Sequence, residues 1–141
     1  MRTAIVMIAH GSRRAEANAE LAELVRKVSE HSPAELVVPA YLELAEPTIP
    51  AAVKSCVDQG AQRVLMFPYF LSSGVHVSED LERYRREFED AFPDVQFTLT
   101  RPLGAHPGIP ALVVDLLAER ALDHRRAGDN DRVLRENDQS A

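Results

Sequence analysis

The chain has 141 residues, 45% of them hydrophobic, and a formal net charge of −6. That length suits one domain with a real core. No apolar run reaches the roughly 18 residues that a membrane span needs, and an acidic chain argues against nucleic acid, whose phosphates want clustered positive charge. Arg83, Arg85 and Arg86 do cluster, but acids flank them and a solvated helix face is the simpler reading. The single cysteine, Cys56, allows no internal disulfide and fits a reducing cytoplasm.

Residues 3–9, Thr-Ala-Ile-Val-Met-Ile-Ala, are apolar without alternation, the pattern of a strand buried on both faces. The run is too short for a signal peptide and leads into His10-Gly11-Ser12. A helix is predicted from about Arg14 to Glu30, with Leu21, Leu24, Val25 and Val28 on one face. Residues 35–41 form a second strand, and Pro39 inside it indicates a sheet edge because proline cannot donate a ladder hydrogen bond. After the loop Leu42 to Pro47 comes a helix over about 48–59, with Ile49, Ala52, Val53, Cys56 and Val57 inward and Gly60 as its left-handed stop.

A third strand, 63–67, empties into Pro68-Tyr69-Phe70-Leu71-Ser72-Ser73-Gly74-Val75-His76. Ser78 is the expected N-cap of the next helix, whose stripe is Leu81, Tyr84, Phe88 and Phe92. A fourth strand over 95–100 and a last helix over about 109–124 complete the pattern, and the polar residues 125–141 read as a disordered tail. Four strand–helix units predict an α/β domain over 1–124, with a four-stranded parallel sheet of order 2-1-3-4 flanked by helices.

In such a sheet, ligands bind beyond the carboxyl ends of the strands where the order reverses. His10 follows strand 1, Glu43 follows strand 2 and His76 lies in the loop after strand 3. Neighbouring strands are about 4.8 Å apart, so all three side chains are expected at one end of the sheet. Two imidazoles and a carboxylate suit a first-row divalent metal, or can accept protons near neutral pH. The small-residue loops Gly11-Ser12 and Ser72-Ser73-Gly74 offer backbone N–H groups to an anion, with Arg13 and Arg14 beside the first.

His10-Gly11-Ser12-Arg13, Tyr41 to Pro47, Gly60 to Val64, and Pro68 to Val77 together resemble the CbiX/SirB family of sirohydrochlorin chelatases, in the same order over about residues 3–118. The resemblance implies one half of a class II chelatase fold. It implies ATP-independent insertion of Co²⁺ or Fe²⁺ into sirohydrochlorin, for cobalamin or sirohaem. His10 and His76 match the family's metal-handling histidines and Glu43 its acidic partner, with ligation and proton acceptance left unordered among them. Gly11, Ser12, Arg13, Ser72, Ser73 and Gly74 would meet the macrocycle's carboxylates, and Leu42 and Val75 its flat face. No permanent cofactor is implied, since the metal is a substrate. The short form is expected to pair as a cytoplasmic homodimer, with no nucleic-acid or membrane partner. The sequence departs from the family at Arg14-Ala15 and lacks a histidine run in its tail. Two other readings remain open: a metal or tetrapyrrole carrier without turnover, and an α/β enzyme using the two loops on phosphate esters.

Overall fold

Strand β1 (Thr3–Ala9) lies inside a parallel sheet of order β2-β1-β3-β4, where β2 is Leu36–Tyr41, β3 is Arg63–Pro68 and β4 is Gln96–Leu99. The structure, a computed structural model, describes residues 1–72 and 74–121. Ser73, the end of the last expected helix and the expected polar tail lie outside the described residues. The chain divides into two compact units, Met1–Ala105 and one that begins at His106. The first holds the whole sheet; the second holds a helix over residues 109–121.

The expected strand order is observed, and β2 is an edge strand. Pro39 pairs in register with Met7 there. The unbroken apolar run of β1 splits by pleat between two cores. Ala4, Val6 and Ile8 pack with Val64, Met66 and Phe97 beneath α2 (Ile49–Asp58) and α3 (Val75–Ala91). Met7 packs on the other face with Leu21 and Val25 of α1 (Ala15–His31), and Ile5 and Ala9 join it. Both faces are therefore apolar because both are covered. On the α1 face a groove of about 300 Å³ remains, lined by Ile5, Met7, Val28, Leu65, Phe67 and Thr100.

The helix boundaries follow local chemistry. The Ala51 N–H donates to Thr48 Oγ1, 3.3 Å, at the start of α2, and Pro50 occupies its first turn. Gly60 ends it at φ +92°, a region that favours glycine. Cys56, on the inward face, is fully buried, and burial pushes its thiol up to about 11. It is a small core hydrophobe rather than a reactive thiol.

Helix α3 differs from the sequence expectation. It begins at Val75 with Gly74 as N-cap, one turn before Ser78. The Ser78 N–H donates to the Gly74 carbonyl, 3.1 Å, so Ser78 is already inside the helix. Gly74, at φ −64° and ψ 165°, gives the extended N-cap geometry that glycine accepts readily. His76 consequently sits on a helical first turn, not in a free loop. On the solvent side of α3, Arg83 pairs with Asp80 and Glu87, Arg85 with Glu82 and Glu89, and Arg86 with Glu82. Every arginine of that cluster is matched by acids of its own helix; Arg83 and Arg86 are exposed as expected, while Arg85 and its partner Glu82 are half-buried.

Candidate functional site

His10 is the residue after β1, Glu43 the second after β2, and His76 the second of α3, which follows β3. All three stand beyond the carboxyl ends of adjacent strands, and all three are exposed. Among the described residues no three His, Cys, Asp or Glu side chains are gathered closely enough to hold an ion between them. The set is placed at one end of the sheet without being closed into a chelate.

What the structure does join is the backbone beneath His10 and Glu43. The Leu42 N–H donates to the Ala9 carbonyl and the Glu43 N–H to the His10 carbonyl, each at 3.0 Å. The β1–β2 pairing thus runs on past the strand ends. It brings the Glu43 carbonyl against Gly11, where a Cβ would stand 1.8 Å from that oxygen. Gly11 also has φ +93°. Only glycine satisfies both demands. On its other side the His10 ring meets Phe70 edge to face, with centroids 4.8 Å apart. Phe70 is buried in the core below α3, and the Tyr69 N–H donates to the Ile8 carbonyl at 2.7 Å, which fixes the chain just before it.

The loop after β3 is tied down from one side. The Gly104 N–H donates to the Phe70 carbonyl, 3.0 Å, and a Cβ on Gly104 would fall 1.6 Å from the Leu71 carbonyl oxygen. Beyond that point Ser72, Gly74 and Val75 are exposed, Val75 at 71%. Ser73 lies outside the described residues. Leu42 is half-buried against the core. The expected apolar wall is therefore presented to solvent at Val75 and partly withdrawn at Leu42.

The Gly11-Ser12 loop is not the open anion cradle the sequence suggests. The Ser12 N–H donates to Asn18 Oδ1 at 3.0 Å, and Asn18 Nδ2 donates back to the Ser12 carbonyl at 2.8 Å. Ser12 Oγ accepts from the Arg14 N–H at 3.0 Å. The buried Tyr41 hydroxyl donates to the Asn18 carbonyl at 2.9 Å, and burial pushes that phenol's pKa up. Arg13 and Arg14 are exposed, and neither guanidinium has an ion-pair partner among the described residues. A cavity of about 260 Å³ opens here, with His10, Ser12, Asn18, Tyr41, Tyr69 and Phe70 in its lining. The hollow is largely apolar, and its lining includes both His10 and the acidic Glu20, which suits a flat apolar face and a cation.

Asn18 lies outside the motifs that carry the family resemblance, while Tyr41 and Phe70 lie within two of them without a role read for either. The one sequence signal is Asn18 itself, a poor helix former set between Ala17 and Ala19 in the first turn of α1.

The CbiX family model matches residues 4–120. The chain is 38% identical over 130 residues to a chloroplastic sirohydrochlorin ferrochelatase of Arabidopsis thaliana, covering 92% of this chain and 57% of that protein. It is 39% identical over 87 residues to a sirohydrochlorin cobaltochelatase of Methanocaldococcus jannaschii, covering 62% of this chain and 61% of that one. The chain thus spans less than two thirds of both curated relatives. Among solved structures, the cobalt complex of the sirohydrochlorin chelatase SirB from Bacillus subtilis subspecies spizizenii superposes with a TM-score of 0.76 at 27% identity, covering 84% of this chain and 51% of that one. A putative cobalamin biosynthesis CbiX protein from Marinobacter aquaeolei VT8 gives 0.75 at 27% identity, covering 86% and 98%. With the sheet order, the strand-end histidines and a family match running through most of the chain, the protein belongs to the CbiX family.

Proposed function

We propose that this protein inserts a divalent metal, Co²⁺ or Fe²⁺, into sirohydrochlorin without ATP. The observation that supports the reading is the bonded pair of turns that stations His10 and Glu43 beyond the ends of β1 and β2, in a chain whose relatives are named sirohydrochlorin chelatases. Insertion exchanges two pyrrole protons for one M²⁺. It needs groups that strip water from the ion, groups that accept protons, and a grip loose enough to let the metal go. His10 and His76 hold the metal, Glu43 ligates or takes a pyrrole proton, and Arg13 meets a macrocycle carboxylate. Gly11, Ser12 and the 72–74 loop border the ring, while Val75 and Leu42 supply its apolar contact. The metal is substrate, and no permanent cofactor enters this scheme.

Anaerobic mixing of the protein with sirohydrochlorin and Co²⁺, followed by the change in macrocycle absorbance, tests the reading. Catalysed insertion is expected; a rate equal to that without protein, with metal or macrocycle still bound, would mark a carrier instead. The phosphate-ester alternative is disfavoured, because Ser12's N–H is already engaged by Asn18.

We also infer a homodimer, acting in the cytoplasm. One chain matches 51% of the SirB chain, so two copies supply the equivalent of that protein. Residues 112–117 of the helix over 109–121 include Leu112, Val113, Val114, Leu116 and Leu117, more apolar side chains than a solvated helix normally carries. Light scattering is expected to give twice the 15.6 kDa chain mass, and a fully active monomer would contradict the pairing. No described helix is long and apolar enough to cross a membrane.

A further inference from the structure

We propose that Asn18 is a positioning residue for His10, acting through a two-point clamp on the backbone of Ser12; this rests on the metal-handling role proposed for His10. The contacts form a closed circuit. Asn18 holds both the N–H and the carbonyl of Ser12. Tyr41 holds the Asn18 carbonyl from the buried end of β2. Two residues beyond Tyr41, the Glu43 N–H holds the His10 carbonyl, and His10 leads through Gly11 back to Ser12. Each segment that carries a metal-handling residue at this end of β1 and β2 is thereby fixed to the other twice.

The chemistry of the clamp is specific. One side chain must offer an acceptor and a donor side by side, which among short side chains only asparagine does. The local sequence gives asparagine no other reason to be there. In the first turn of α1, alanine would favour the helix by several tenths of a kcal/mol, and Ala17 and Ala19 flank it. Asn18 is not the N-cap either; that position is Arg14, whose side chain makes no capping hydrogen bond. Both hydrogen bonds act on backbone, so the clamp fixes the path of the turn and hence the direction in which His10 leaves it. Phe70 limits the ring from one side only. Without Asn18, the turn just after His10 and Gly11 loses both holds on the Ser12 backbone.

The test uses Co²⁺ titration of the protein alone, read by the d–d absorption of the bound ion, beside steady-state insertion. Asn18→Ala is expected to weaken Co²⁺ binding and to lower kcat about tenfold, as loss of a ligand-orienting group typically does. It should leave KM for sirohydrochlorin within about twofold, because no macrocycle contact is removed. Asn18→Asp keeps the acceptor for the Ser12 N–H and loses the donor, so it should fall between Asn18→Ala and the parent. Val25→Ala, on the buried face of the same helix, should lower Tm more than Asn18→Ala while leaving Co²⁺ affinity unchanged. Equal loss of affinity in Val25→Ala would reduce Asn18 to a general stability role and overturn the proposal. Parent-like Co²⁺ affinity in Asn18→Ala, with His10→Ala impaired, would overturn the clamp alone. Parent-like affinity in both variants would remove the role of His10, and the clamp with it.

Discussion

His10→Ala is expected to insert Co²⁺ at least about a hundredfold more slowly than the parent, the scale on which positioned acid–base and ligand groups act. The exposed imidazole is held from two sides, by the Glu43 N–H on its carbonyl and by Phe70 against its ring. Truncation to alanine removes the proposed ligand and its ring contact with Phe70 while leaving the backbone bond in place. The fold should survive, with Tm close to the parent's. His76→Ala is expected to lose turnover on the same scale. His106→Ala is the informative contrast. The Nδ1 atom of His106 accepts the Gly108 N–H at 2.9 Å, a bond that shapes its own turn. Its loss should change turnover by no more than about threefold, the size of an ordinary surface effect. Equal losses at His76 and His106 would move the chemistry away from the first three strands.

Gly11→Ala should have the largest effect on the fold. The new methyl would stand 1.8 Å from the Glu43 carbonyl oxygen and only 3.2 Å from Tyr41 Cβ, at φ +93° where an L-residue is already strained. The obstacle is backbone and a buried aromatic, so nothing nearby can turn aside. The variant should lose about 3 kcal/mol of stability, which for a chain of this size lowers Tm by about 10 °C. Insertion should fall even in the fraction that stays folded, because relief of the clash separates the His10 and Glu43 turns. Thermal denaturation followed by circular dichroism measures the first effect, and single-turnover insertion below the new Tm measures the second. A Tm within about 2 °C of the parent, a shift typical of a neutral surface change, would show that the two turns are not in contact.

The sequence already determined the α/β class, the strand order, the edge position of β2 and the inward faces of the helices. Each follows from local chemistry: an apolar run without alternation, a proline inside a strand, apolar residues spaced at 3.6. The places of His10, Glu43 and His76 just beyond strand ends were legible because strand ends are legible, and parallel order puts those ends on one side of the sheet. Tertiary structure alone decided how they are held. The start of α3 moved to Val75 because Gly74 can cap the helix in place of Ser78, which carries His76 out of the loop and onto a helical turn. In the expected anion loop, the Ser12 N–H and carbonyl are engaged by Asn18. Phe70 reaches His10 across 60 positions of sequence and Tyr41 reaches Asn18 across 23. Periodicity reports which face of an element is apolar. It says nothing of which side chain from a distant element arrives there, because that depends on how the packed layers bring strand ends and helix starts together.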